Sequence, residues 1–156
     1  MKNYKKAYTL IEMLMVVAII GVLASSILIG LGSTRAKARD SRRITDLKST
    51  QTALELYYSK YNSYPARIID SNETWSWDEL TDILTSEETG INITKIPKDP
   101  LASSGKNYFY ATNGQEYILG ALLETKDQSL DDDLDGTQLG ADCGEETGDL
   151  IYCISL

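Results

Sequence analysis

Near the C-terminal end of the chain, Asp131, Asp133 and Asp135 alternate with Asp132 and Leu134, Gly136 follows at once, and Asp142 stands eleven residues beyond Asp131. Those are positions 1, 3, 5, 6 and 12 of a cation-binding loop. Alternate side chains turn inward, the glycine bends the backbone, Thr137 offers its carbonyl, and the last carboxylate closes the shell. Several hard oxygens of this kind suit calcium. The flanks lack the long amphipathic helices of an EF-hand, and position 12 is Asp rather than Glu, so the expectation concerns the loop alone and a structural role. The competing reading is a solvated acidic turn, because crowded carboxylates repel one another.

A different acid sits near the other end. Glu12 is the only charged side chain in residues 8–32. A carboxylate on an apolar helix is costly unless a positive group meets it, and such acids mark a function with a definite partner. The third chemical feature is Cys143 and Cys153, which would close a loop of ~11 residues worth about 3 kcal/mol by the chain-entropy model. A local bridge of that kind points to an oxidising compartment. Zinc is the weaker alternative, since two thiolates without histidine fall short of the usual ligand count.

What the chain lacks narrows the chemistry further. It has 156 residues, 42% hydrophobic and 24% charged, and no histidine. That size suits one globular domain, and the missing imidazole removes a Ser-His-Asp or Cys-His nucleophile and most zinc sites. No catalytic residues are expected, and the chain is read as a non-enzyme. Net charge is −8, with the positive residues crowded into the first 48, so no general nucleic-acid-binding surface is expected. No Gly-rich phosphate-binding loop occurs.

Four segments position these groups: residues 1–7, basic through Lys2, Lys5 and Lys6; an apolar helix over 8–32; an amphipathic continuation over 33–64; and a globular region over 65–156. Residues 13–31 would cover roughly 28 Å as a helix, close to the ~30 Å bilayer core. Basic residues flank both ends, so charge leaves the orientation open. An ordinary signal peptide cut before Ser25 would place Glu12 inside its apolar core, and an uncleaved anchor leaves Glu12 unexplained. Ile44, Leu47, Leu54, Tyr58 and Tyr61 continue one helical stripe, which Pro65 ends. A short helix is expected over 75–84, capped by Ser76 or Asp78, and Asn113-Gly114 is read as a two-residue hairpin turn between strands at 107–112 and 115–122. The expected fold is α+β: a long N-terminal helix, transmembrane in its first half, whose second half packs on a small antiparallel sheet. The abundant tyrosines are assigned to packing. Asn72-Glu73-Thr74 and Asn92-Ile93-Thr94 fit glycan acceptors, a pattern that chance also explains.

Lys6-Ala7-Tyr8-Thr9-Leu10-Ile11-Glu12, followed by the apolar residues 13–24, resembles the prepilin leader of the type IV filament family. The resemblance implies cleavage between Ala7 and Tyr8 by a membrane peptidase that also methylates the new N-terminus. Glu12 becomes the fifth mature residue, and the Tyr8 α-amino group of a neighbouring subunit neutralises it. The family usually has Gly before the cut, and Ala7 is the smallest substitute, so processing is expected to survive more slowly. Family members often carry a proline that unwinds the helix past the apolar stretch. Here Gly30 and Gly32 stand near that point, and loosening or close helix packing both remain open.

Ser63-Tyr64-Pro65, Ile96-Pro97-Lys98-Asp99-Pro100, Tyr108-Phe109-Tyr110 and Tyr117-Ile118-Leu119-Gly120 resemble the order of elements in the major pseudopilins of type II secretion. Those pseudopilins carry a structural calcium near the C-terminus, and type IV pilins often carry a C-terminal disulfide. The implied function is a polymerising filament subunit, held in the inner membrane with its domain outside and then assembled into an extracytoplasmic filament. Its implied partners are copies of itself, a prepilin peptidase and methyltransferase, an assembly platform with its ATPase, minor pseudopilins and membrane lipid. A surface pilus for adhesion, motility or DNA uptake is the alternative within this class. A monomeric, membrane-tethered calcium module is the alternative outside it.

Overall fold

The computed structural model describes residues 8–65, 77–144 and 150–156, with only the backbone for 26–31. The chain divides into two compact units, Met1–Arg35 and Ala36–Leu156. Helix α1 is Leu10–Tyr61, and it continues through Gly30 and Gly32. In the first unit its apolar side chains, among them Ile11, Leu14, Val17 and Ile20, are exposed. Among the described residues no helix is long and apolar enough to cross a membrane.

In the second unit the pattern changes from uniformly apolar to one-sided. Leu47, Ala53 and Leu54 of α1 are buried, with Ile44, Tyr57 and Tyr58 packed beside them, at the spacing that puts one face of a helix against a core. Asn62 ends α1 in a left-handed conformation, φ 53°, its N–H donating to Tyr58 O at 2.7 Å. Asparagine tolerates that conformation better than most residues, and Pro65 follows. The short helix α2, Trp77–Thr85, buries Trp77, Leu80 and Leu84 on one side. The Trp77 indole N–H donates to Pro97 O at 2.8 Å. Trp75, Ser76 and the triplet at 72–74 lie outside the described residues.

Three antiparallel strands complete the core: β1, Phe109–Thr112; β2, Tyr117–Leu122; and, after two short strands described below, β5, Ile151–Ser155. They are ordered β1-β2-β5. Tyr110, Tyr117, Leu119 and Ala121 join the α1 leucines in the main cluster. Polar contacts tie α1 to this sheet region, among them Gln51 Nε2 donating to Ser155 O at 3.1 Å, the Tyr117 hydroxyl donating to Glu55 at 3.3 Å, and the Tyr108 hydroxyl donating to Asp46 at 2.9 Å.

The β1–β2 turn corrects the sequence expectation. Thr112 pairs with Tyr117, so the loop holds residues 113–116 rather than Asn113-Gly114 alone. The cause is the Asn113 carboxamide, whose oxygen accepts from Gln115 N at 2.9 Å and Glu116 N at 2.8 Å. Those local bonds compete with extending the ladder.

At the base of the sheet lies an ion cluster that fastens three chain segments together. Arg43 is fully buried, with 0% exposure. Its Nε and Nη2 donate to the two oxygens of Asp99 at 2.7 and 3.2 Å, and its Nη1 to Asp40 and Glu124 at 2.7 Å each. Arg39 Nε also donates to Glu124 at 2.7 Å. Asp40 in turn accepts from Glu124 N, Thr125 N and the Thr125 hydroxyl at 3.0, 2.9 and 2.8 Å. Burial alone would lower the Arg43 pKa, but the hydrogen bonds to Asp99, Glu124 and Asp40 outweigh it and hold the guanidinium charged. The Arg39 hydrogen bond, opposed by burial and aided by Arg43, holds the Glu124 carboxyl down to about 2.

Two outcomes follow from these contacts. In the register, Gly120 faces Phe109, and a Cβ there would lie 1.9 Å from the Phe109 ring. Gly120→Ala should therefore lower thermal stability by about 1–3 kcal/mol through overpacking, and an unchanged midpoint in thermal denaturation would contradict that packing. A depressed Glu124 pKa contributes stability that is complete above its ordinary value of 4.5 and is lost as pH falls toward about 2. Glu124→Gln should thus lower stability at pH 7 and flatten the acid-side decline. Parallel wild-type and variant curves of stability against pH would count against this assignment.

Candidate functional site

Glu12 lies in the first turn of α1 and makes a reciprocal capping box with Thr9. Its Oε2 accepts from Thr9 N at 2.9 Å and from the Thr9 hydroxyl at 2.8 Å, while Thr9 Oγ1 accepts from Glu12 N at 3.3 Å. The spacing Thr-x-x-Glu carries this local role, and the helix dipole favours an anion at that end. The sequence reading took Glu12 only as an acid awaiting another chain. Both Thr9 bonds fall on Oε2, and Tyr8 is exposed beside them. Ala7 and the rest of the leader lie outside the described residues.

The acidic loop is built around the outer edge of β5. A 3-10 turn, Gln128–Leu130, is capped by the Asp127 side chain and leads into Asp131. Asp133 Oδ2 then accepts from Cys153 N at 2.9 Å, and Leu134 N donates to Cys153 O at 3.4 Å. A carboxylate thus stands where a neighbouring strand would place a carbonyl, and it covers a sheet edge that would otherwise be a template for pairing. Gly136 adopts φ 81°, the left-handed conformation for which the sixth loop position needs glycine. Strands β3, Thr137–Gln138, and β4, Ala141–Asp142, form a small hairpin that turns on Leu139 and Gly140, at φ 50° and 79°. Positive φ at both positions matches the twist of a tight hairpin.

That hairpin brings two of the predicted calcium ligands face to face, since Thr137 pairs with Asp142. The others do not join them. Asp133 is engaged at β5, Asp131 and Asp135 are exposed, and Asp142 Oδ1 accepts from Gly144 N at 2.9 Å. Among the described residues no group of three or more His, Cys, Asp or Glu side chains is placed to hold a metal ion. The donor chemistry suits calcium, but this arrangement does not form its shell.

Cys143 and Cys153 form the expected disulfide, with Cα atoms 5.8 Å apart, and both are buried. The bond joins the residue after β4 to the middle of β5, so the loop is pinned to the sheet at two adjoining points. It also closes the zinc alternative, because bridged sulfurs offer no thiolate. Asn92 is exposed at φ 55°.

The sequence reading missed the Arg43 cluster. It counted the basic residues that follow the apolar segment only as flanking charge, whereas Asp40 and Arg43 are buried. The signal was their spacing: 40, 43, 44 and 47 share one helical face with the leucine stripe.

Residues 2–28 match the family model described as the prokaryotic N-terminal methylation motif. Over most of its length the chain is similar to proteins named type II secretion system core protein G. It is 27% identical to that of Vibrio cholerae serotype O1 over 155 residues, covering 92% of this chain and 94% of the relative. The Escherichia coli K12 protein is 24% identical over 136 residues, with 87% and 92% covered. The Klebsiella pneumoniae protein is 26% identical over 128 residues, with 82% and 91% covered. No solved structure matches the chain. Residues 2–28, which hold Glu12, thus match a prokaryotic N-terminal methylation motif, and the chain over most of its length is similar to the core G proteins of type II secretion systems.

Proposed function

We propose that this chain is a structural, non-catalytic subunit of a type II secretion filament, a major pseudopilin that polymerises through its N-terminal helix. The observation that carries the reading is the methylation motif at residues 2–28 joined to similarity with core protein G along nearly the whole chain. The named relatives favour the secretion filament over a surface pilus.

In this reading a prepilin peptidase cuts between Ala7 and Tyr8 and methylates the Tyr8 nitrogen. Residues 8–32 hold the subunit in the inner membrane, with the disulfide-bonded domain in the oxidising space outside. An assembly platform and its ATPase then extract it, with minor pseudopilins and further copies of the chain as partners. The repeated contact is heterologous and does not close, which is what makes a filament rather than a ring. Glu12 sets its register: Oε2 stays in the Thr9 capping box, and Oε1 is available to the Tyr8 ammonium of the adjoining subunit without breaking that box. An intramembrane acid satisfied at both oxygens no longer carries the penalty of an unpaired one.

The acidic loop is proposed as a structural calcium site on Asp131, Asp133, Asp135, Thr137 and Asp142. Its support is the loop spacing.

Glu12→Ala should leave membrane insertion intact and reduce filament by about tenfold or more, since a lost charge-assisted contact of ~1.4 kcal/mol per subunit already amounts to that factor. Electron microscopy of filaments beside a membrane-fraction blot would read both, and wild-type filament yield from the variant would refute the assembly role. For the loop, calcium should raise the thermal midpoint relative to EGTA, and Asp131→Asn with Asp135→Asn should abolish the difference. Equal midpoints of the wild-type protein in both buffers would remove the calcium site.

A further inference from the structure

The apolar contacts of α1 with the sheet do not by themselves specify one alignment. Leu47, Ala53 and Leu54 meet tyrosines and leucines, and burial of such surfaces is non-directional. A helix sliding by one turn, about 5 Å, would still cover apolar surface. The Arg43 cluster is different in kind. A guanidinium is a planar fork with donors in fixed directions, and here it meets carboxylates from three separate segments. Asp40 lies on α1 itself, Asp99 precedes the 3-10 turn at Ala102–Ser104, and Glu124 follows β2. Each acid is also fixed from its own side: Asp99 Oδ1 accepts from Leu101 N at 2.6 Å, and Asp40 accepts from the 124–125 backbone. A one-turn slip would part Arg43 from Asp99 and Glu124, and Asp40 from the 124–125 backbone, and leave these groups buried without partners.

We infer that Arg43 is a positioning residue: its ion cluster is a register key that fixes which stretch and face of α1 the sheet domain grips. A buried ion network adds little net stability over a neutral replacement but strongly penalises misalignment, so register and stability should separate on mutation. The consequence for assembly rests on the filament reading above. If α1 is the shared core element, the key determines how uniformly the domains are presented along the polymer. The register itself does not depend on that reading.

The test uses the full chain in detergent micelles. Spin labels at Thr52→Cys on α1 and Asn107→Cys ahead of β1, both exposed, report the distance between helix and sheet. The wild-type background should give one narrow distribution. The triple variant Arg43→Met, Asp99→Asn, Glu124→Gln, in which Asp40 keeps its bonds to the 124–125 backbone, should still fold yet show a broadened distribution or a second population displaced by about 5 Å. A narrow wild-type-like distribution in the folded triple variant overturns the proposal. If the triple variant does not fold, Arg43→Lys decides: it keeps the charge and loses the fork, so broadening supports the key and a narrow distribution overturns it. Electron microscopy of the same variants should show filaments with irregular domain placement. Absence of any wild-type polymer would strike the filament reading and leave the distance result standing.

Discussion

A guanidinium with no exposed surface can persist at a helix–sheet junction only if its donors are met by groups held in place for other reasons. Arg43 satisfies that condition because each of its three acids is also held by another group: Asp40 by the 124–125 backbone, Asp99 by Leu101 N, Glu124 by Arg39. The rest of the second unit is arranged around this point. The leucines of α1 bury apolar area, the Glu55 and Gln51 contacts bond α1 to the sheet region further along, and the disulfide closes the far edge of the sheet. Burial supplies the driving force, whereas the ion cluster confines it to one geometry.

The two ends of the chain use carboxylates in opposite ways. At Glu12 the acid caps the start of a helix whose apolar side chains over residues 10–25 are exposed. At Asp133 the acid covers a strand edge that would otherwise recruit another chain. The first arrangement exposes what an assembling subunit must share, and the second suppresses association by the wrong surface. A chain that polymerises along one element needs both.

Much of this was legible in residue order. The stripe from Ile44 to Tyr58, the stop at Tyr61–Pro65, the Trp77-Leu80-Leu84 face and the Cys143–Cys153 bridge all follow from period, proline chemistry and cysteine count. The β1–β2 turn was misread because Asn-Gly pairs favour a two-residue turn by backbone conformation alone, and the Asn113 side chain accepts from the amides of Gln115 and Glu116 instead. Arg43 was hidden because a basic residue is normally solvated, and two of its three acids are distant in sequence: no local pattern links position 43 to 99 and 124. Glu12 carried two signals, and the weaker one, the Thr9 capping box, was overlooked beside the stronger. The loop acids show what spacing leaves out: it gives the order of candidate ligands but not their other partners, and Asp133 also accepts from the Cys153 amide.

The central claim is that residues 1–7 are removed and that the chain acts from Tyr8 onward. The most direct measurement is the intact and N-terminal peptide mass of the protein recovered from membranes of a host that processes prepilins. The account predicts a mature chain beginning at Tyr8 with a single methyl group on its nitrogen. A chain beginning at Ser25, or one still carrying its leader wherever the peptidase is active, would contradict it.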